Sequence, residues 1–527
     1  MPSGGPKDIN PPNVVGEKPA NGSTFFNEKS IKITFNEYVT LNNPQENVIF
    51  SPPMLERVDY TTQGKSVLIK FNDTLKSNTT YSLFFSDCIQ DFHEGNKLSG
   101  YNYAFATGDS IDKHKLFGQV LHAETNKPES GVFVMLYEKD VDSLPLTERP
   151  NYLTKTDAQG GFIFHHLKEK SYKIFALKDI NSDYLFNLPN ELIAFADSTF
   201  QAKYYESDSL FKAAEDALIT LRLFQEADTV QTSLPHLNPQ LGVYHFPYKL
   251  PIHAFDVKME GDTIDFATKI NATNDTISLY LKTFFDDHAI VYIQTDYIQT
   301  DTVELYPYKP PRSAGRSDKT VPQLNIMLSN QDDLYAPTLL NFSYPLAPTN
   351  SVEIFVIATL FTGKDTISVS VDIPDDLVMQ LSVPYSFEPK INYTLVLPDS
   401  LFYAYNGATH DSLTFSFSKK TEKDYGNLIL HYKVDENSDV DFLVELLSSN
   451  QKVIVSEIIS HSKTAEYNHL VPGVYRIRVV EDRNKNGKWD TGNYRKKEQP
   501  EKIFFITKEI AIRGFWDVEE DVELQTP

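Results

Sequence analysis

Glu481 to Gly492 reads EDRNKNGKWDTG and sets Asp482, Asn484, Asn486 and Asp490 on the first, third, fifth and ninth places of one short run, with Gly487 at the sixth. A calcium ion takes about six to eight oxygens. A loop offering side-chain oxygens at alternate places, with glycine at the sharp bend, supplies them. Lys488 would give its backbone carbonyl at the seventh place, and Glu501 would close the shell from the following strand. An earlier run from Asp179 repeats the pattern with Asp179, Asn181, Asp183 and Asn187, with Leu185 at the carbonyl place and Glu191 as the later carboxylate. Neither run has Glu at the twelfth place, and the earlier one has Tyr184 where the bend prefers glycine. Asp and Asn also suit hairpin turns. Two readings therefore stand: a structural Ca2+ site that stiffens a connection, or a polar turn.

Other chemistry is poorly represented. The sequence has no G-x-S-x-G elbow, no H-E-x-x-H helix, no glycine-rich phosphate loop and no paired-cysteine motif. His165 and His166 are adjacent in a strand-like run and so point to opposite faces, a poor geometry for sharing one metal. The single cysteine, Cys88, sits in the apolar stretch YSLFFSDCIQD and reads as a small buried side chain. Carboxylates are plentiful, but small sandwiches in tandem seldom enclose a deep pocket, so the expectation is a protein that is not an enzyme.

The elements that must position these residues are strands. The chain has 527 residues, with 35 Phe and 29 Tyr beside 30 Pro and 22 Gly, and its short apolar runs are broken by turn residues. At about 100–150 residues per domain this is an all-β, multidomain chain. A net charge of −23 argues against binding a phosphate backbone, which depends on Lys and Arg displacing counterions, so no nucleic-acid partner is expected. No stretch approaches the roughly 18 apolar residues of a membrane helix. The opening MPSGGPKDINPP reads as a tether left after removal of a targeting segment, with Met1 supplied in its place.

Internal repeats define the organisation. GFIFHHLKEKSYKIFALKDINSDYLFN, from Gly161, matches AEYNHLVPGVYRIRVVEDRNKNGKWD, from Ala465, pairing His166-Leu167 with His469-Leu470, Tyr172 with Tyr475 and Asp179 with Asp482. Downstream, LPNELIAF pairs with QPEKIFF, and ITLRLF (Ile219 to Phe224) with IAIRGF (Ile510 to Phe515). A second repeat appears as IKITFNEYV at Ile31, VYHFPYKLP at Val243 and LNFSYPLAP at Leu340. Its far end recurs as NTTYSLFFSD…YNYAFATGD and KINYTLVLPD…SLTFSF. The expected units are 1–112, 113–228, 229–318, 319–422 and 423–527: three sandwiches of one kind, with the second and fifth of another. KPPRSAGRSDK reads as a flexible loop between the third and fourth.

PANGSTFFNEKSIKITFNEYV, NTTYSLFFSDCIQDFHEGN and FATGDSID resemble the bacterial Ig-like domain of surface-layer proteins, whereas TDAQGGFIFHHL…YKIFALKD resembles the prealbumin-like, carboxypeptidase-regulatory-like β-sandwich. In this order, after SGGPKD, they resemble the Ig-like-domain lipoproteins of Bacteroidota. The resemblance implies a tandem array of Ig-like and prealbumin-like β-sandwiches, with 1–112 holding the tether and first Ig-like unit. It also implies a lipid anchor in the outer membrane, at the cell surface or, as the alternative, on the periplasmic face. The expected role is a rod-shaped scaffold or adaptor that docks on outer-membrane proteins of a machine assembling or exporting other proteins. The alternative is a glycan-binding or adhesion module using aromatics such as those of YNYAF or LFYAYNG.

Overall fold

The computed structural model describes residues 8–205, 218–228, 230–260, 264–296, 300–309, 322–360, 363–374, 377–435 and 439–525. Among these the helical pieces are single turns, Pro44–Asn47, Leu144–Thr147 and Glu422–Asp424, and the rest of the regular structure is strand. Alternation in the sequence becomes alternation in burial. In Ser30–Phe35, Ile31, Ile33 and Phe35 are buried while Lys32 is exposed, as period-2 geometry requires.

The first sandwich faces the sheet of Val14–Lys18, Ser30–Phe35, Ser66–Lys70 and Asp59–Gln63 against Tyr101–Ala106, Thr80–Phe85 and Val48–Ser51. Phe26, Phe71, Tyr81 and Phe105 stack inside it. Cys88 is fully buried in the same core, and burial pushes its thiol up to about 11. The third and fourth units share a core: Val243 and Tyr280 of one pack with Leu340, Phe342 and Val356 of the other. Gln240 Nε2 and Tyr344 Oη donate across the same joint, to Ser343 O (2.6 Å) and Leu241 O (2.9 Å). Apart from Lys309, the loop KPPRSAGRSDK lies outside the described residues, as does the start of the tether through Lys7.

The second and fifth sandwiches agree in backbone detail. His166 and His469 both take left-handed φ, 60° and 61°, and opposite each the strand pairing slips by a residue. Tyr172 Oη donates to Lys168 O (3.1 Å), and Tyr475 Oη to Val471 O (2.6 Å). In both, a closing strand runs parallel to the first one: Ile219–Leu223 beside His114–His122, and Asp517–Leu524 beside Gly426–Val434. This corrects one pairing expected from the sequence. Ile510–Ile512 runs antiparallel to Gly473–Asp482, as Phe200–Gln201 does to Ser171–Lys178, so IAIRGF answers to Phe200–Gln201 and not to ITLRLF.

The far-end repeat holds as well. Tyr81 Oη accepts from Lys76 N (2.8 Å), and Tyr393 Oη accepts from Glu388 N (2.9 Å), each five residues back.

The chain does not form the expected rod. The fourth and fifth sandwiches meet where Tyr335 stacks on His469 at 3.4 Å and Tyr425 Oη accepts from Leu334 N at 2.9 Å. The fifth then returns onto the second through residues 491–499.

Parallel pairing in the second sandwich demands a bare backbone at Gly118. A Cβ there would stand 2.1 Å from Ile219 O and 2.6 Å from the Phe162 ring. Gly118→Ala should cost about 1–3 kcal/mol, as overpacking does, and lower the urea midpoint. An unchanged midpoint would refute this account of the joint.

Candidate functional site

The two Asp/Asn loops fold alike because each opens at the end of a central strand and closes on a buried carboxylate. In the fifth sandwich Asp482 is fully buried and accepts from Asn486 N (3.0 Å) and Gly487 N (2.7 Å). Glu501 accepts from Arg483 N (2.9 Å) and Asp490 N (3.0 Å). In the second, Asp179 accepts from Ser182 N (2.7 Å) and Tyr184 N (2.8 Å). Glu191 accepts from Ile180 N (3.3 Å), Asn187 N and Leu188 N (both 3.0 Å). Leu185 N and Lys488 N, at the carbonyl place, donate to Asp183 Oδ1 (2.8 Å) and Asn486 Oδ1 (3.0 Å). Tyr184 accommodates the bend with φ 63°, where the other loop uses Gly487 at 75°.

The expected site residues are therefore brought together, and their side chains bond to one another. Asn484 Nδ2 and Asn486 Nδ2 both donate to Asp490 Oδ2 (2.6 and 2.5 Å). Asn181 Nδ2 and Asn187 Nδ2 donate to Asp183 Oδ2 (2.9 and 2.6 Å). Among the described residues, no group of three or more His, Cys, Asp or Glu is placed to hold a metal ion. Any cation would thus depend on amide and backbone oxygens as well as carboxylates. Burial raises the pKa of Glu501, and the nearby Asp490 and Asp482 add to it; burial raises Asp179 too, helped by Glu191 and Asp183. The loop of the fifth sandwich also carries Arg483, Lys485 and Lys488, of which Arg483 pairs with Glu481 and Lys485 with Asp441. His165 and His166 take no part: their rings are 6.2 Å apart and tilted, and His166 Nδ1 is 3.1 Å from Asp112 O.

Beyond the ninth place the loops differ. The second sandwich reaches its closing carboxylate through Leu188–Asn190, whereas the fifth inserts Thr491–Pro500. That insert is a clasp on the second sandwich. Thr491 Oγ1 donates to Gln225 O (2.6 Å), Tyr494 N to Glu226 Oε1 (2.8 Å), and Gln499 Nε2 to Phe195 O (3.0 Å) and Asp197 Oδ1 (2.9 Å). The Tyr494 ring enters a cage of Phe175, Phe186 and Phe195 at 5.6–6.0 Å, while its hydroxyl donates to Asp142 O. Asp142 stands between Lys497 and the buried Lys173, and hydrogen bonds from both hold its carboxyl below the usual range. The eighth place of each loop, Phe186 and Trp489, supplies an apolar ring to this same cluster. The clasp was not among the expected site residues. Its one signal in the sequence was the unmatched insert between two otherwise matched loops.

Residues 8–107 match the family of the bacterial Ig-like domain. No curated protein matches the chain. Three solved structures are similar to it over much of its length. The major pilin subunit BcpA of Bacillus cereus is 11% identical over 78% of this chain and 99% of that one, with a TM-score of 0.15. The S-layer protein rSbsC(31-844) is 10% identical over 96% and 68%, with a TM-score of 0.15. The BSP domain of a biofilm associated protein is 10% identical over 98% and 98%, with a TM-score of 0.15.

The clasp leaves no space at Gly492, where a Cβ would lie 2.6 Å from the Phe224 ring. Gly492→Val should therefore undock the fifth sandwich without unfolding it. Proteolysis should cut between Thr491 and Pro500 faster by about tenfold or more, as a loss of at least about 1.4 kcal/mol in docking implies. An unchanged cleavage rate would show that the clasp does not hold the joint.

Proposed function

We propose that the chain is a non-catalytic cell-envelope protein, held at the outer membrane by a lipid anchor on the cell-surface side, that serves as a scaffold or adaptor subunit of a larger protein complex. The observation that carries this reading is the clasp. By docking the fifth sandwich on the second it holds the domains in one circuit, so that a partner meets surfaces at fixed spacing. The Ig-like match at 8–107 supports a bacterial surface module, and the resemblance to Bacteroidota lipoproteins supports the anchor. No helix among the described residues is long and apolar enough to cross a membrane.

The glycan-binding alternative needs a row of exposed rings. In YNYAF, Tyr103 and Phe105 are fully buried and Tyr101 is half-buried; in LFYAYNG, Phe402 is buried, Tyr405 is half-buried and Tyr403 is exposed. These rings form no exposed row, which favours the adaptor. Affinity purification of the natively anchored protein from gently solubilised membranes, with mass spectrometry after a salt wash, tests it. Outer-membrane proteins recovered in fixed ratio support the scaffold; the chain recovered alone overturns it.

Both Asp/Asn loops are proposed structural Ca2+ sites. Carboxylate, amide and backbone oxygens are the hard donors calcium takes. Burial raises Glu501 and Asp179, and a cation would offset the neighbouring carboxylates that add to that rise. Asp482, Asn484, Asn486, Lys488 O, Asp490 and Glu501 would hold one ion, and Asp179, Asn181, Asp183, Leu185 O, Asn187 and Glu191 the other. With free calcium at about a hundred times its Kd, each site should add about 2.7 kcal/mol. The melting temperature should then rise with calcium and fall with chelator. A melting temperature indifferent to both, with no uptake in a titration, would sink the proposal.

A further inference from the structure

The terminal strand of a sheet leaves one row of backbone N–H and C=O groups unpaired, and its side chains decide what can pair there. In the fourth sandwich one sheet runs in the order Gly363–Ile373, Thr349–Leu360, Asn392–Leu397 and Leu413–Phe417. Gly363–Ile373 is thus a terminal strand. It lies antiparallel to Thr349–Leu360, with unbroken register from Gly363 to Asp372 and no proline. Val369 and Val371 turn into the core, while Lys364, Thr366, Ser368, Ser370 and Asp372 stand exposed on the opposite face. Among the described residues, neither Lys364 nor Asp372 has an ion-pair partner.

We propose that a second copy of this chain pairs with that strand, antiparallel and about a two-fold axis through Ser368, joining the two four-stranded sheets edge to edge. This goes beyond the adaptor role and does not depend on it. Residues opposite one another in such a pair must point to the same face, so the axis passes through a residue and fixes every other contact. Centred on Ser368, it sets Lys364 opposite Asp372 of the second copy, Thr366 opposite Ser370, and Ile367 opposite Val369. Opposite charges then meet at both ends of the strand, and hydroxyls that donate and accept meet between them. An axis through Ile367 sets Lys364 against Ser370, and one through Val369 sets Asp372 against Thr366, so neither pairs the charges. The terminal strand Asp517–Leu524 of the fifth sandwich has the contrary pattern. It exposes Asp517, Glu519, Asp521 and Glu523 on one face, and a copy would meet like charges in any register. A net charge of −23 also repels a copy at long range, so association rests on the local match. A single strand edge is a small interface, which gives a reversible dimer with Kd on the order of 10 μM.

The test is sedimentation equilibrium of the full chain at physiological salt, from roughly 1 to 200 μM, where the mean mass should climb from monomer towards dimer. It is repeated on Lys364→Asp and Asp372→Lys, both at exposed positions and each checked for an unchanged melting temperature. Because the axis repeats every contact, Lys364→Asp opposes two pairs of carboxylates and Asp372→Lys two pairs of ammonium groups. Each variant alone should dimerise at least about tenfold more weakly. Mixed in equal amounts, the two variants present edges of opposite charge, and the mixed dimer should return to within about threefold of the original affinity. A monomeric mass at every concentration overturns the proposal. So does a dimer that either variant leaves equally tight, or one that the mixture fails to restore.

Discussion

The arrangement depends on covering the outer face of one sheet. In the second sandwich Ser171–Lys178 has six consecutive buried residues, Tyr172 to Leu177, so both faces of this strand are shielded. Tyr172, Ile174 and Ala176 fill the sandwich's own core, while Phe175 and Leu177 face the other way with Met135, Tyr137 and Phe195. Left open, that second face would be a continuous apolar patch of the kind that drives association. Ile49 and Phe84 of the first sandwich cover part of it, and Trp489 and Tyr494 of the fifth cover the rest. The second sandwich is thus the hub on which the two ends of the chain meet.

The Asp/Asn loops serve that hub. In each, backbone N–H groups converge on buried carboxylates, which shapes the loop so that its eighth residue, Phe186 or Trp489, reaches the shared cluster. In the fifth sandwich Trp489 Nε1 also donates to Glu501 O at 2.9 Å, tying the ring to the closing carboxylate residue. The clasp begins immediately after that loop, so anything that stiffens the loop also holds Thr491, Gly492 and Tyr494 in place. Polar detail then fixes the register of an otherwise apolar contact. Tyr494 can sink its ring because its hydroxyl finds Asp142 O and its backbone finds Glu226.

Much of the sandwich construction was legible in the residues, because the side-chain period of a strand is local. Ile31, Ile33 and Phe35 show their buried side by spacing alone, and the matched Tyr172 and Tyr475 signal two related domains. The Asp/Asn loops were legible for a similar reason: their hydrogen bonds span a few residues. The equivalence of ITLRLF with IAIRGF failed because short alternating apolar runs look alike, and only their neighbours distinguish them. Ile219–Leu223 lies parallel to the first strand of its sandwich, while Ile510–Ile512 lies antiparallel to a central one.

Residue pattern alone makes the chain all-β and marks which faces of its strands are buried, where related units recur and where the polar loops sit. That the chain bends back on itself, that Tyr494 finds Asp142 from 352 positions away, and that two domains leave a cleft beside Ser51 and Leu153 come from the folded arrangement. The physical reason is range. Alternation and turn chemistry are set by residues a few places apart, whereas the surface that covers a sheet's second face is chosen by complementarity between segments that the sequence keeps far apart.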